Sequence, residues 1–169
     1  DGRSARADSI WRRGFETVRD RVPLALGVTD RLIERNDMDR ALEWARRGRE
    51  LDGETAVFDR RLFQIALARG RYTASVEPAF RYVDGVPDRA AELLRLLRSA
   101  EPSPVARDRM AAIAVEQAAG SPDNAGILLF ASELALLAGD SESARELFVR
   151  AALSDELGVP ELSSLARRI

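Results

Sequence analysis

Apolar residues return every three to four positions along most of the chain, as in Ala90, Leu93, Leu94 and Leu97 or Ala144, Phe148 and Ala151. Stretches of β-branched and aromatic residues alternating with polar ones are missing, so the period is that of helices and the predicted class is all-α. Breaks are evenly distributed: Val22-Pro23, Asp52-Gly53, Asp84 to Pro87, Pro102-Ser103-Pro104, Gly120-Ser121-Pro122 and Gly158-Val159-Pro160 each mark a short connection. Several place proline in the first turn of the next helix, where its missing N–H has no intrahelical acceptor in any case.

The segments between the breaks recur. Small residues at 7, 41, 75, 106 and 144 are spaced 34, 34, 31 and 38 apart, a mean of about 34. Around them the signature is Ala, then a large residue, then a small one: Ala7, Trp11 and Gly14; Ala41 with Trp44, Ala45 and Gly48; Ala144, Phe148 and Ala151. Alanine and glycine at such places let two antiparallel helices approach closely, and the large side chains fill the space toward the next unit. A single unit of about 34 residues cannot offset its own ordering entropy, so stacking of units is required.

This pattern resembles the tetratricopeptide repeat, whose second helix bears A-x3-F-x2-A. Gly139 to Ala151 matches it closely, and Gly2 to Gly14 is another match. First-helix signatures are weaker: Leu162, Leu165, Ala166 and Ile169 keep the spacing, whereas Asp59 stands at an expected apolar place. The resemblance spans the chain and implies a right-handed α-solenoid of antiparallel helix hairpins, with units at 1–21, 22–53, 54–86, 87–120 and 121–157 and a further unit beginning at 158–169. The unit 87–120 departs most from the pattern. Another helical-hairpin solenoid stays open as an alternative. Both ends fall inside a repeat with apolar faces at Ala7-Trp11-Phe15 and Leu162-Leu165-Ile169, so the sequence reads as a piece of a longer array.

Composition narrows the chemistry. There is no histidine or cysteine, and all 26 basic residues are arginine, set against 28 carboxylates for a net charge of −2. Imidazole bases, thiolates, zinc-thiolate sites, Schiff bases and Walker A loops are therefore excluded, which leaves carboxylate chemistry or a binding surface. The paired carboxylates Asp37/Asp39 and Asp140/Glu142 sit at the starts of second helices, where acidic groups cap orphan N–H groups, so no catalytic residue, metal ligand or cofactor is assigned. Gly120 to Gly126 lacks the Lys-Ser/Thr ending of a phosphate cradle and reads as a turn. The fully apolar runs, Ile127–Ala131 among them, are far too short to span a bilayer, so no membrane insertion is expected.

Arginine clusters at 12–13, 46–49, 60–61 and 167–168 are interleaved with acids at helical spacing and read as ion-paired surface, not as a nucleic-acid interface. Residues 121–169 hold four arginines against eight acids, a local −4. What the resemblance implies for function is a concave face lined by first helices: Leu26, Asp30, Ile33 and Glu34; Arg60, Gln64 and Leu67; Ala91, Arg95 and Arg98; Leu129, Glu133 and Leu136. Asp88 and Glu92 stand where a clamp for a terminal carboxylate would need positive or amide groups. The expected function is a non-catalytic protein-interaction scaffold. The lysine-free composition suggests a GC-rich bacterial source, and with it a place in periplasmic exopolysaccharide export or envelope assembly. A peptide-sensing regulator and a recruitment module for a catalytic domain elsewhere are the alternatives.

Overall fold

A computed structural model describes residues 2–52, 56–84 and 86–154. Expectations that rest on Asp1 or on Gly158 to Ile169 lie outside them. Among the described residues the chain is helical and has no strand. The helices are α1 (Gly2–Thr17), α2 (Arg21–Glu34), α3 (Met38–Asp52), α4 (Val57–Ala68), α5 (Val76–Val83), α6 (Arg89–Ser99), α7 (Pro104–Ala119), α8 (Ala125–Ala138) and α9 (Ser141–Leu153), with a 3-10 turn at Thr73–Ser75 before α5. Breaks between helices fall where proline, glycine, asparagine and aspartate punctuate the sequence. Ser103 Oγ accepts the Ala106 N–H with Pro104 opening α7, Asn124 Oδ1 accepts the Ile127 N–H, and Asp140 Oδ1 accepts the Ser143 N–H.

The spacing found in the sequence is written in the backbone. Positive φ occurs at Asn36 (58°), Gly70 (66°), Glu101 (47°) and Gly139 (86°), each five residues before the small residue at 41, 75, 106 or 144. At three of these turns the same two hydrogen bonds close the preceding helix. The N–H groups of Asn36, Gly70 and Gly139 donate to the carbonyls of Ile33, Leu67 and Leu136, and those of Asp37, Arg71 and Asp140 donate to Leu32, Ala66 and Ala135. This is a Schellman closure, which needs a left-handed residue just after the helix. At the fourth turn Glu101 N–H donates to the Arg98 carbonyl at 3.3 Å, but the next residue is Pro102, which has no N–H for the second bond. The most divergent unit of the sequence is thus the one whose turn is incomplete.

The chain forms two compact units, residues 1–65 and 66–169. In the first, α2 and α3 fold back on each other. Phe15, Ala25, Val28, Leu32, Ala41, Trp44, Ala45, Phe58, Leu62 and Ile65 make its core. Fully burying a large apolar side chain contributes about 1.5–3 kcal/mol, and Trp44, Phe58, Leu32 and Ile65 are each under 2 % exposed. Ala41 and Gly48 lie on the inner side of α3, as the repeat pattern predicts, and the Phe58 ring packs directly against Gly48. Asp59, the polar residue at an apolar place, is buried and pairs with Arg49 at 3.4 Å.

In the second unit α8 is the central element. α5, α6, α7 and α9 all lie against it, and every residue from Ala125 to Ala135 is buried. Its sequence AGILLFASELALLA is apolar apart from Ser132 and Glu133, which is the composition of an enclosed helix and not of one lining an open groove. Gly126 admits the closest approach, because a Cβ there would stand 2.2 Å from the Val83 carbonyl oxygen. Ala144, Leu147 and Ala151 of α9 complete this core, with Ala144 fully buried and its carbonyl accepting the Ser132 hydroxyl.

Candidate interaction surfaces

Of the residues expected on a partner-binding face, Asp30, Glu34, Arg60 and Gln64 belong to the first unit, and Arg95, Arg98 and Glu133 to the second. Their states differ. Asp30 receives a two-pronged hydrogen bond from Arg61, Nε to Oδ1 and Nη2 to Oδ2, both 3.0 Å, tying α2 to α4. Glu34 is exposed and paired with Arg31 one turn earlier at 2.7 Å. Arg60 and Gln64 are half-buried on α4. On α6, Arg95 and Arg98 are exposed.

Glu133 does not line an open face. It is 2 % exposed within α8, and its Oε2 accepts from Arg98 Nη2 at 3.1 Å. Leu129 is buried beside it and Leu67 is buried on α4, so these positions serve the core. The cause is the enclosure of α8, which places α6 over the face that the repeat register assigns to a groove. Glu133 and Arg98 are the two candidates brought into direct contact.

Cation–π contacts are a feature that the residue patterns did not reveal. In the first unit the Arg47 guanidinium stands 5.3 Å from the Trp44 ring and 5.6 Å from that of Phe15, and Arg40 stands 5.7 Å from Trp11. Phe15 and Trp44 meet edge to face at 5.5 Å. Glu43 accepts from Arg12 at 3.1 Å and lies 3.6 Å from Arg47, joining α1 to α3. The Trp44–Arg47 spacing of three residues on one helix was the available signal. Among the described residues the buried Trp44 Nε1–H has no hydrogen-bond partner, and the surrounding guanidinium and aromatic contacts hold the ring. In the second unit Arg89 stands 4.8 Å from the Tyr82 ring and donates to the Tyr82 carbonyl, while the Tyr82 hydroxyl bonds Glu92 at 2.8 Å.

Each arginine cluster within the described residues contains at least one ion-paired guanidinium, while Arg167-Arg168 lies outside them. Arg12, Arg47, Arg49 and Arg61 each stand against a carboxylate. Of the acidic pairs, Asp37 takes Arg40 at 3.2 Å, and Asp140 caps α9. The Ser143 side-chain and backbone hydrogen bonds hold the Asp140 carboxyl below the ordinary aspartate value of 3.8. Among the described residues no three acidic groups converge as a metal would need, and no helix is long and apolar enough to cross a membrane.

A cavity of about 380 Å³ opens in the second unit where α6 ends and α7 begins, lined by Leu97, Arg98, Glu101, Pro102, Arg107 and Leu137. It sits at the incomplete repeat turn. Arg107 Nε donates to the Pro102 carbonyl at 3.1 Å, which fixes that guanidinium at the cavity wall.

No protein-family model matches the chain, and no curated protein matches it.

Proposed function

We propose that this chain is a non-catalytic scaffold of tetratricopeptide-like helix hairpins whose work is to hold a protein partner. The observation that carries the reading is the agreement between the left-handed turn residues at 36, 70, 101 and 139 and the small residues five positions later. A repeat carried in both sequence and backbone is the mark of an array built to present surface. The right-handed solenoid is part of this proposal. The α2–α3 and α8–α9 hairpins, with Ala41 and Ala144 fully buried at the same register, support it. Absence of histidine and cysteine favours binding over chemistry. A place in periplasmic envelope assembly or polysaccharide export is proposed as the setting, on composition alone.

Of the candidate residues, Arg95 is the best docking group: it is exposed on α6 and engaged in no ion pair among the described residues. The experiment is crosslinking of the full chain in its source cells, identification of the partner by mass spectrometry, and titration of the purified pair. Arg95→Glu should weaken binding by about ten-fold or more with an unchanged circular dichroism spectrum. Equal affinity would remove α6 from the interface, and a chain that captures no partner but turns over a substrate would overturn the scaffold reading.

A further inference from the structure

Three of the four repeat turns carry the residue types that a left-handed backbone favours, Asn36, Gly70 and Gly139; the fourth carries Glu101 at φ 47°. Glutamate gains nothing from that conformation, and the following Pro102 restricts it further. Strain of this kind, kept at one turn and avoided at the equivalent ones, points to a use for the side chain. Glu101 lines the cavity at the α6–α7 elbow together with Arg98 and Arg107, on an apolar bed of Leu97, Pro102 and Leu137.

The charges around this cavity are sorted. Arg98 is bound by the buried Glu133, which neutralises it and fixes its guanidinium. Arg107 Nε donates to a carbonyl oxygen, and its terminal NH2 groups meet no anion among the described residues. Glu101 pairs with neither arginine among the described residues. One cation and one anion without a counter-charge among the described residues thus share the wall of a half-polar cavity whose volume falls within the range of small-ligand sites, roughly 300–1,000 Å³.

The geometry points to a binding site for a free aliphatic α-amino acid. Its carboxylate binds the Arg107 terminal NH2 groups, its ammonium binds Glu101, and its side chain lies on Leu97, Pro102 and Leu137. A simple anion would meet repulsion from Glu101, a simple cation would meet Arg107, and a peptide terminus carries only one of the two charges. A ligand that carries both charges a short distance apart, as an α-amino acid does across its Cα, meets both walls. The site adjoins the docking face proposed on α6, since Arg98 belongs to both, but its ligand is a free amino acid and it stands whether or not a protein partner binds.

Calorimetric titration of the full chain with L-leucine tests this. Saturable binding of one ligand per chain is expected, with leucinamide and N-acetyl-leucine each weaker by about ten-fold or more because each lacks one charge. Glu101→Asn keeps a residue that tolerates the left-handed turn while removing the carboxylate, and it should bind leucine about ten-fold more weakly with unchanged circular dichroism. Absence of saturable binding at millimolar leucine, equal binding of N-acetyl-leucine, or undiminished binding by Glu101→Asn would each overturn the assignment.

Discussion

Gly48 and Phe58 touch with no room for a β-carbon between them: a Cβ on Gly48 would stand 2.3 Å from the Phe58 ring, and that ring is fully buried. The contact joins α3 to α4 in the core of the first unit. Gly48→Ala gains up to about 1 kcal/mol of helix propensity, but overpacking costs about 1–3 kcal/mol. Chemical denaturation should show a net loss. Both tryptophans, Trp11 and Trp44, belong to this unit, so their fluorescence follows its unfolding specifically; a Gly48→Ala midpoint equal to or above that of the parent would refute the packing role.

The Arg98–Glu133 pair makes a second prediction. Truncating Arg98 to methionine leaves a 2 % exposed carboxylate without its guanidinium. Because Arg98 itself is half in solvent and Glu133 has further interactions, the expected loss is about 1–3 kcal/mol, below that of a fully enclosed pair. Adding Glu133→Leu should recover part of it, since an apolar residue suits the surroundings of α8. Strictly additive losses in a double-mutant cycle would show that the two side chains do not act as a pair.

Asp140 gives the pH dependence. Its folded pKa lies below the ordinary value because Ser143 donates to the charged carboxylate. The unfolded chain therefore takes up that proton first, so the cap's stabilisation is present above the unfolded pKa and lost as pH falls through the folded one. Asp140→Asn keeps a capping oxygen but removes the titration. Between about pH 5 and pH 2 the parent's melting temperature should fall further than the variant's, and parallel profiles would contradict this role for the cap.

Much of the fold was legible because its signals are local. Proline and glycine punctuation marked the breaks before α6, α7 and α8, and the small residues at 41 and 144 marked the buried side of α3 and α9, whereas the break expected at Val22-Pro23 falls inside α2. Residues whose surroundings come from distant segments were harder to read. Repeat register put Glu133 on a groove, yet α8 is enclosed by four other helices. AGILLFASELALLA, apolar but for Ser132 and Glu133, carried that message more faithfully than the register did. Asp30, 44 % exposed, is engaged by Arg61, 31 residues away, a pairing that register does not show. The elbow cavity was invisible to pattern because it depends on how Arg107 and Leu137 converge on a turn whose oddity, a left-handed Glu101, only the backbone reveals.

The central claim is that equivalent turns recur and require the left-handed conformation. Gly70 and Gly139 test it cleanly, because a Cβ at either would meet nothing within 4 Å, and only the positive φ opposes a side chain. Gly27, inside α2, also has open space around it but no positive φ. Denaturation free energies of Gly70→Ala, Gly139→Ala and Gly27→Ala should divide accordingly: each turn variant loses about 1 kcal/mol, while Gly27→Ala gains a few tenths to about 1 kcal/mol. Turn variants as stable as Gly27→Ala would contradict the account.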